Sequence, residues 1–562
     1  MTGAPPATPR GTRPATASAT AAGARAGARR QSDALAGLGT MVRLIVRRNR
    51  VRLTVWVVVL VGMFTYIASY YHTLFPTQKS LDDFAAVSNT PGIKAMTGLS
   101  AAADTLGGAV WTKGWMTIAL SLAIGSAFLV TRAGRADEEA GRTELLRSRM
   151  LGLHAYATAS WLVNGLLCLV VGAGIAVASA ANGLDPEGTG IAGSLIFGAS
   201  VAGVGLVGLG VGAVAGQVAS TSRGANALAS AVIIGFYVIR MVGDLGNGAL
   251  SWASPIGWGQ QMEPYAGNRW WPLALLLALA AALLTGAALL ESRRDHGSGL
   301  LAERPGPASA PPRFASPLGL GLRLQRGPII GWTVAVALSA LMFGSIVDSM
   351  NTFMADAGGA MADFTRGIGV DALLAMLAGM IGLITAAFAT QSAASLRTDE
   401  ASGIVETQLA GGLSRTRWAL ERLLIPAVGS AVLLLLGGAG LGAVYGSTIG
   451  DSSQAVTMAG AALAYWPAVM ILVGIAVALF GWAPSVAIPV AWGAMAAMWF
   501  ATMLGEVFGL PTWMLDGLPF SAVPYMPLDA MSWAPEVIMT VVAAALIWSG
   551  VDRFARRDIQ PG

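Results

Sequence analysis

The sequence holds one cysteine, three histidines, three lysines and little charge of either sign. With Cys168 alone, no intramolecular disulfide can form and a cysteine-based zinc or iron centre is excluded; its position inside an apolar run suits a small packing residue. His72, His154 and His296 lie in three separate places and make no metal-ligand group, and no nucleophile, base and orienting residue can be assembled, so catalysis by this chain is not expected. Lys79, Lys94 and Lys113 are the only lysines, and none follows a glycine. The phosphate-cradling pattern Gly-x-x-x-x-Gly-Lys-Ser/Thr is therefore absent, and no nucleotide, metal or other cofactor site is expected in the chain. Charged residues make up 12% of the 562, against about 25% in an average soluble domain. So few charges cannot coat a water-soluble globule of this length.

What replaces them is apolar: 55% of the residues are hydrophobic and the mean hydropathy is +0.63. The apolar runs are continuous rather than alternating, which disfavours a transmembrane barrel and leaves helices as the elements that satisfy their own backbone in lipid. The expected fold class is an all-α polytopic membrane protein. Taking about 20 apolar residues per span, twelve candidates emerge, near 53–72, 114–131, 155–179, 191–216, 225–243, 271–290, 329–349, 372–393, 423–447, 456–480, 484–505 and 536–551. Basic residues favour cytoplasmic loops. The N-terminal tail, Arg132 to Arg149, Arg223, Arg293 to Arg326 and Arg553 to Arg557 all fall on one side, whereas Asp82, Asp83, Asp104, Asp185, Glu187, Glu263, Asp356, Asp363, Asp451, Asp516 and Asp529 fall on the other. Both termini are thus expected in the cytoplasm of a bacterium, the chain being multi-pass in the plasma membrane; the preference for Arg, Ala and Gly is an actinobacterial kind of bias.

Residues 1–40, rich in Ala, Thr, Gly, Pro and Arg, cannot bury enough surface to fold alone and are expected to be a disordered cytoplasmic tail. Arg29 and Arg30 stand too far from the first apolar run for a twin-arginine signal, and the basic stretch Met41 to Arg52 reads as an amphipathic segment lying on anionic headgroups before the chain turns in. A first six-span half over 41–290, a proline-rich cytoplasmic linker over 291–327, a second half over 328–553 and a short cytoplasmic tail over 554–562 complete the organisation.

The two halves share a motif. Arg135, Asp137, Glu138, Gly141 and Glu144 recur as Arg397, Asp399, Glu400, Gly403 and Glu406 at one offset, since 397 − 135 and 406 − 144 both equal 262. Two copies of a six-span unit, parallel because each holds an even number of spans, account for this. In both copies Glu-x-x-Gly-x-x-Glu follows the second span, and on one short helix its three positions fall within roughly a 120° arc. Such a face, with a glycine at its centre, admits another backbone and offers salt bridges to basic groups of a partner. A solvated cytosolic loop is the plainer alternative, which recurrence at identical spacing disfavours.

The Glu-x-x-Gly-x-x-Glu loop, the amphipathic approach to the first span and the stretch before the sixth resemble ABC transporter permeases of the type 2 exporter class. The fused double unit with Ser254-Pro255-Ile256-Gly257-Trp258, Glu263-Pro264-Tyr265 and Trp270-Trp271-Pro272 is similar to actinobacterial polyketide-antibiotic exporters of the tetronasin type. The likeness covers nearly all of the chain beyond residue 40, although the second half offers Ser521-Ala522-Val523-Pro524 in place of the Ser-Pro-x-Gly-Trp string. The resemblance implies that Arg135, Asp137, Glu138, Gly141 and Glu144, and Arg397, Asp399, Glu400, Gly403 and Glu406, form coupling helices docking on a separate ABC ATPase subunit. Two ATPase copies, holding ATP and Mg, would serve one permease that moves a hydrophobic or amphipathic compound outward.

Other residues carry weaker signals. Trp258, Trp270, Trp271 and Trp513 suit either an aromatic belt at the headgroups or an outer gate, to which Arg240, four residues from Asp244, would belong. That pair reads equally as a functional intramembrane ion pair or as snorkelling near an interface. Asn164, Gln217 and Gln391 suit interhelical hydrogen bonds, and the glycines of the fourth span suit close packing where the two halves meet. The rival function is a proton-coupled multidrug carrier of the major facilitator kind, which would need carboxylates near the midplane. Asp348 and Glu506 lie instead at span ends, and the acidic loop departs from that family's basic Gly-x-x-x-Asp-Arg-x-Gly-Arg-Arg. The expected partners are the ATPase, the bilayer and a small hydrophobic substrate, with no nucleic acid.

Overall fold

A computed structural model describes residues 34–88, 91–98, 101–147, 151–294, 299–300, 309, 311–314, 316–356, 369–504 and 510–560. Among the expectations above, the tail before residue 34, His296, most of the linker, Asp363 and Glu506 lie outside the described residues. The described chain is helical, with no strand among those residues. Two compact units divide at Pro305 and Gly306.

The first unit contains α1 (Leu38–Leu74), α2 (Gln78–Ser88), α3 (Pro91–Thr97) and α4 (Leu106–Glu139), the last with π-helical turns at Trp111–Trp115 and Arg132–Ala136. There follow α5 (Arg142–Arg147), α6 (Ala155–Ala181), α7 (Ala192–Val218), α8 (Ser222–Leu245), α9 (Pro255–Gln260) and α10 (Trp271–Glu291). The second unit runs α11 (Pro317–Asp356), α12 (Val370–Ala401), α13 (Ile404–Leu409), α14 (Arg415–Ile449), α15 (Gln454–Trp482), α16 (Ala487–Leu504), α17 (Thr512–Asp516) and α18 (Trp533–Arg556). Eleven of these helices are long and apolar enough to cross a membrane, as an all-α polytopic protein requires; the span expected at 484–505 is the shorter α16, apolar over Ala487–Thr502.

Expected boundaries move: α1 begins at Leu38, inside the tail expected to end at 40, and α18 runs to Arg556, past the expected end of the second half at 553. The basic stretch from Met41 to Arg52 does not turn before the first span but continues it, because no proline or glycine interrupts the helix there. Thus α1 is a single rod of 37 residues, about 55 Å long. Its inner face, Met41 and Ile45, packs on Ala159 and Val163 of α6. Likewise the last eleven residues of the proposed linker, 317–327, are already helical and belong to α11.

Each unit is arranged around its fourth spanning helix. In the first, α1 packs on α6, while α7 contacts α4, α6 and α10; in the second, α11 packs on α14, while α15 contacts α12, α14 and α18. The same helix pairs recur, as two copies of one unit demand. Lipid offers no hydrophobic drive between helices, so contact depends on small residues that let backbones approach. A Cβ on Gly198 would stand 2.2 Å from the carbonyl oxygen of Gly172, and one on Gly208 would stand 2.3 Å from that of Ala123. Gly203 and Gly210 meet leucines of α10, and Gly212 meets Ala127 of α4. Gly198, Gly203, Gly205, Gly208, Gly210 and Gly212 of α7 therefore meet helices of their own unit. Cys168 fills a fully buried place beside Gly205, as the sequence suggested. On the periphery, α1 exposes Val51, Val55, Val58 and Val59, and α18 exposes Ile538, Val541, Val542 and Trp548, apolar surface that suits lipid.

Of the three polar residues assigned to interhelical bonds, Gln391 accepts from Trp332 Nε1 at 2.6 Å and Gln217 accepts from Arg294 Nε at 2.5 Å. Asn164 instead donates to Ser160 O at 2.8 Å on its own helix. For the α6–α7 crossing, Gly198→Ala should cost about 1–3 kcal/mol, because backbone faces backbone and neither can yield. Gly216→Ala, where nothing lies within 4 Å, should be neutral or slightly stabilising. Thermal unfolding of the two variants in detergent, followed by loss of the monodisperse species, checks the difference.

Candidate functional site: a repeated acidic turn

The second spanning helix of each unit, α4 and α12, ends on the shared motif, and it ends there for one local reason. Gly141 has φ +67° and Gly403 φ +75°, the left-handed conformation that a glycine adopts without a Cβ penalty. Each closes its helix by donating its N–H back three residues, to Glu138 O at 2.9 Å and to Glu400 O at 3.1 Å. Nothing lies within 4 Å of either glycine's missing Cβ, so these glycines serve the turn and not the close approach of a backbone. The continuous short helix expected over the motif is thereby broken, and its three positions do not share a face. Glu138 and Glu400 turn inward, while Glu144 on α5 and Glu406 on α13 stand exposed.

The inward acids are held the same way twice. Arg135 Nη1 lies 3.0 Å from Glu138 Oε2, and Arg397 Nη1 lies 3.0 Å from Glu400 Oε2. A second arginine then comes from just beyond the sixth helix: Arg294 Nη2 reaches Glu138 Oε1 at 2.5 Å, and Arg557 grips Glu400 with both nitrogens, at 2.6 and 2.9 Å. The forked contact of Arg557 is the strong, planar form of this interaction. Gln560 N adds a bond of 3.0 Å to Glu400 Oε1, and the Arg557 guanidinium lies 5.1 Å from the centre of the Phe480 ring. Arg135 Nε also donates to Ser220 O at 2.7 Å, tying the turn to the loop before α8. Glu139 completes that link, accepting from Ser222 N at 2.6 Å and Ser222 Oγ at 2.7 Å.

The neighbouring aspartates differ between copies. Asp137 pairs with Arg48 of α1, with Arg142 at 2.6 Å and with the Tyr156 hydroxyl. Asp399 pairs with the buried Arg422 of α14. Sequence reasoning placed Arg294 and Arg557 only as basic loop residues, and it missed Arg48, Tyr156 and Arg422 as partners. A signal for the first two was present: Arg293-Arg294-Asp295 and Arg556-Arg557-Asp558 repeat at an offset of 557 − 294 = 263. At the motif's offset Tyr156 corresponds to Trp418 and Arg422 to Ser160, so these partners carry no repeated residue type to read.

The residues assigned to an outer gate do not form one group. Arg240 is fully buried, 3.1 Å from Asp244, within 3.2 Å of Met96 O and 4.8 Å from the centre of the Tyr237 ring. Ser251 Oγ donates to Asp244 at 2.5 Å, so the pair fastens the segment before α9 and neither snorkels nor lines a path. Trp258 is half-buried and donates to Trp252 O at 2.7 Å, while Trp271 stacks on Trp252 at 5.1 Å. Trp270 is exposed at the start of α10, and Trp513 is exposed on α17 in the second unit. The segment before the sixth helix holds the buried short helix α9 in the first unit; at the repeat offset its counterpart in the second unit is 518–523, where Phe520 and Val523 are buried, while the exposed α17 corresponds to the turn at Leu250–Ala253. Burial also raises the pKa of the Tyr265 hydroxyl above the usual phenol range, so Tyr265 remains a neutral wedge beside Phe197.

In the second unit an open apolar groove of about 710 Å³ runs between α14, α15, the 526–531 loop and α18. Its walls include Leu463, Trp466, Pro467, Met526, Trp533 and Val537.

For the charged turn, removing one partner of a buried pair leaves a charge uncompensated, at about 3–5 kcal/mol. Glu400→Ala, which strands Arg557 and Arg397 together, should destabilise the protein by that order, Arg557→Ala, which leaves Arg397 on Glu400, should cost less, and the double variant should cost clearly less than their sum. A double-mutant cycle on thermal unfolding in detergent measures the coupling; additive losses would show that the pair is not one unit.

Comparison with known proteins adds a family. A family model described as the C-terminal domain of the multidrug efflux system permease Rv1217c matches residues 314–555. The multidrug efflux system permease protein Rv1217c of Mycobacterium tuberculosis (strain ATCC 25618 / H37Rv) is 38% identical over 529 residues, covering 92% of this chain and 95% of that protein. With likeness along both units and helices that cross the bilayer throughout, this multi-pass protein of a bacterial plasma membrane belongs to the Rv1217c family of multidrug efflux permeases.

Proposed function

We propose that the chain is the membrane-spanning subunit of an ABC exporter of the type 2 class, moving a hydrophobic or amphipathic compound such as a drug, a polyketide-like antibiotic or a lipid outward. The chain itself is not an enzyme in this reading: ATP and Mg are handled by a separate ATPase subunit, two copies to one permease. The acidic turns and both termini face the cytoplasm.

One observation carries the reading. The motif that protein partners would meet occurs twice, each time with one acid locked to an arginine just beyond the sixth helix and another left exposed six residues later. The locked acid makes the turn stiff with respect to its own helices, so a push on α5 or α13 is passed to the bundle instead of being absorbed in the loop. The exposed Glu144 and Glu406 are free to pair with basic groups on a partner. A mycobacterial relative named for multidrug efflux supports the breadth of substrate, and so does the apolar groove, since pockets built of aliphatic side chains select weakly among apolar compounds.

The division between locked and exposed acids selects the test. Charge reversal at Glu138 or Glu400 would place like charges against buried arginines and unfold the turn. The double variant Glu144→Lys, Glu406→Lys alters only exposed positions and should insert and fold normally. Pull-down of the tagged chain in detergent, with mass spectrometry and an ATPase assay, should recover a stoichiometric soluble ATPase from the wild type and at least tenfold less from the variant. Recovery of the wild-type chain without any ATPase, together with proton-driven efflux in vesicles, would put the secondary carrier in its place.

A further inference from the structure

The apolar groove of the second unit contains one feature that a purely apolar site would not have. Glu536, in the first turn of α18, lines it, is 5% exposed, and has no hydrogen-bond partner for either carboxylate oxygen among the described residues. The inward acids described above, Glu138, Glu400, Asp137, Asp399 and Asp244, each have an arginine partner, and Glu291 at the end of α10 is met by His154 Nδ1 at 2.8 Å. A carboxylate removed from water and left unpaired is among the costliest arrangements in a protein interior.

The internal repeat shows that this cost is not a requirement of the fold. Trp270 and Pro272 recur as Trp533 and Pro535 at the offset 263 that also relates Arg294 to Arg557, and at that offset the counterpart of Glu536 is Leu273. In the first unit Leu273 packs against the core. The same place in the same helix is thus filled by an ordinary apolar residue in one copy and by an acid in the other. Glu536 also lies about 30 Å along α18 from Arg557, as 21 residues at 1.5 Å each require. It cannot share in the ion pairs at the far end of the helix.

We infer that Glu536 and the groove around it form a recognition site for lipophilic monocations. This inference rests on the efflux reading above and narrows the compounds carried through this unit. The groove's 710 Å³ lies in the range of small-molecule sites. Its mouth is half open along α18, where Trp533 and Val541 are exposed, so a compound enters from the lipid side. Trp466 and Trp533 offer ring faces to a cation, and Met526 and Met531 offer adaptable apolar contact to its substituents. The carboxylate supplies the single charge, strengthened by the low dielectric around it. Neutral compounds of the same size gain the apolar contact only, and anions meet a like charge.

The test uses the full chain in phosphatidylcholine nanodiscs, with empty nanodiscs subtracted, and two ions of the same shape and opposite sign. Equilibrium dialysis should show tetraphenylphosphonium bound at least tenfold more tightly than tetraphenylborate by the wild type. Glu536→Gln should lose this preference while still binding tetraphenylborate, which also reports that the groove is intact. Glu536→Asp should keep part of it. Equal binding of both ions by the wild type, or a preference that survives in Glu536→Gln, overturns the inference, as does the absence of any binding. None of these results touches the efflux reading, which stands or falls on co-purification of the ATPase with the wild-type chain.

Discussion

A carboxylate held out of water must be met by a cation of fixed geometry, and in both units that demand joins the second spanning helix to the sixth. Glu138 with Arg135 and Arg294, and Glu400 with Arg397 and Arg557, occupy the same place in their copies. The consequences run outward from there. The arginine beyond the sixth helix fixes where that helix ends, the positive φ of the following glycine fixes where the second helix stops, and the short helix beyond it is left facing water. Buried ion pairs add little net stability compared with apolar packing. Their value here is positional, because they specify which helix ends meet, and apolar contacts in lipid specify this poorly.

The remainder of each unit solves a different problem. Helices in a bilayer gain little by hiding apolar surface from lipid that is equally apolar, so van der Waals contact decides their pairing. The fourth helix of each unit accordingly carries its small residues toward its neighbours: Gly198 against Gly172, and Gly481 against Gly550, are contacts that no side chain could enter. One end of the bundle is thus specified by charge and its length by the absence of side chains.

The spanning helices were legible in the sequence, with ten of the twelve expected segments found inside helices at their expected places, since an 18-residue apolar run has few alternatives in an otherwise charge-poor chain. Boundaries were less so: α1 extends well past its apolar run because nothing in Met41 to Arg52 breaks a helix, and α11 extends past its own although Gly319, Gly321, Gly327 and Pro328 lie in its first turns. The repeated motif was legible as a spacing, yet its geometry was not. A helical wheel assumes that the helix continues, whereas Gly141 and Gly403 end it, and the facing of Glu138 depends on Arg294, 156 residues away in sequence. Arg240 shows the same limit from another side. A charge near the end of an apolar run looks wet until the loop carrying Ser251 is folded over it. Glu536 was passed over because, counted from the edge of its apolar run, it looks like a helix-terminal acid; only the packing of α14 and α15 makes it buried.

The unbroken length of α1 ties two environments together. At about 55 Å the rod exceeds the roughly 30 Å hydrocarbon core, and it carries the valines that meet lipid on the same stiff axis as Arg48, which holds Asp137. A straight helix answers a thinner or thicker membrane by changing its tilt. The first unit's turn is thus joined through Arg48 to the helix that meets lipid, whereas Asp399 is held by Arg422 of α14.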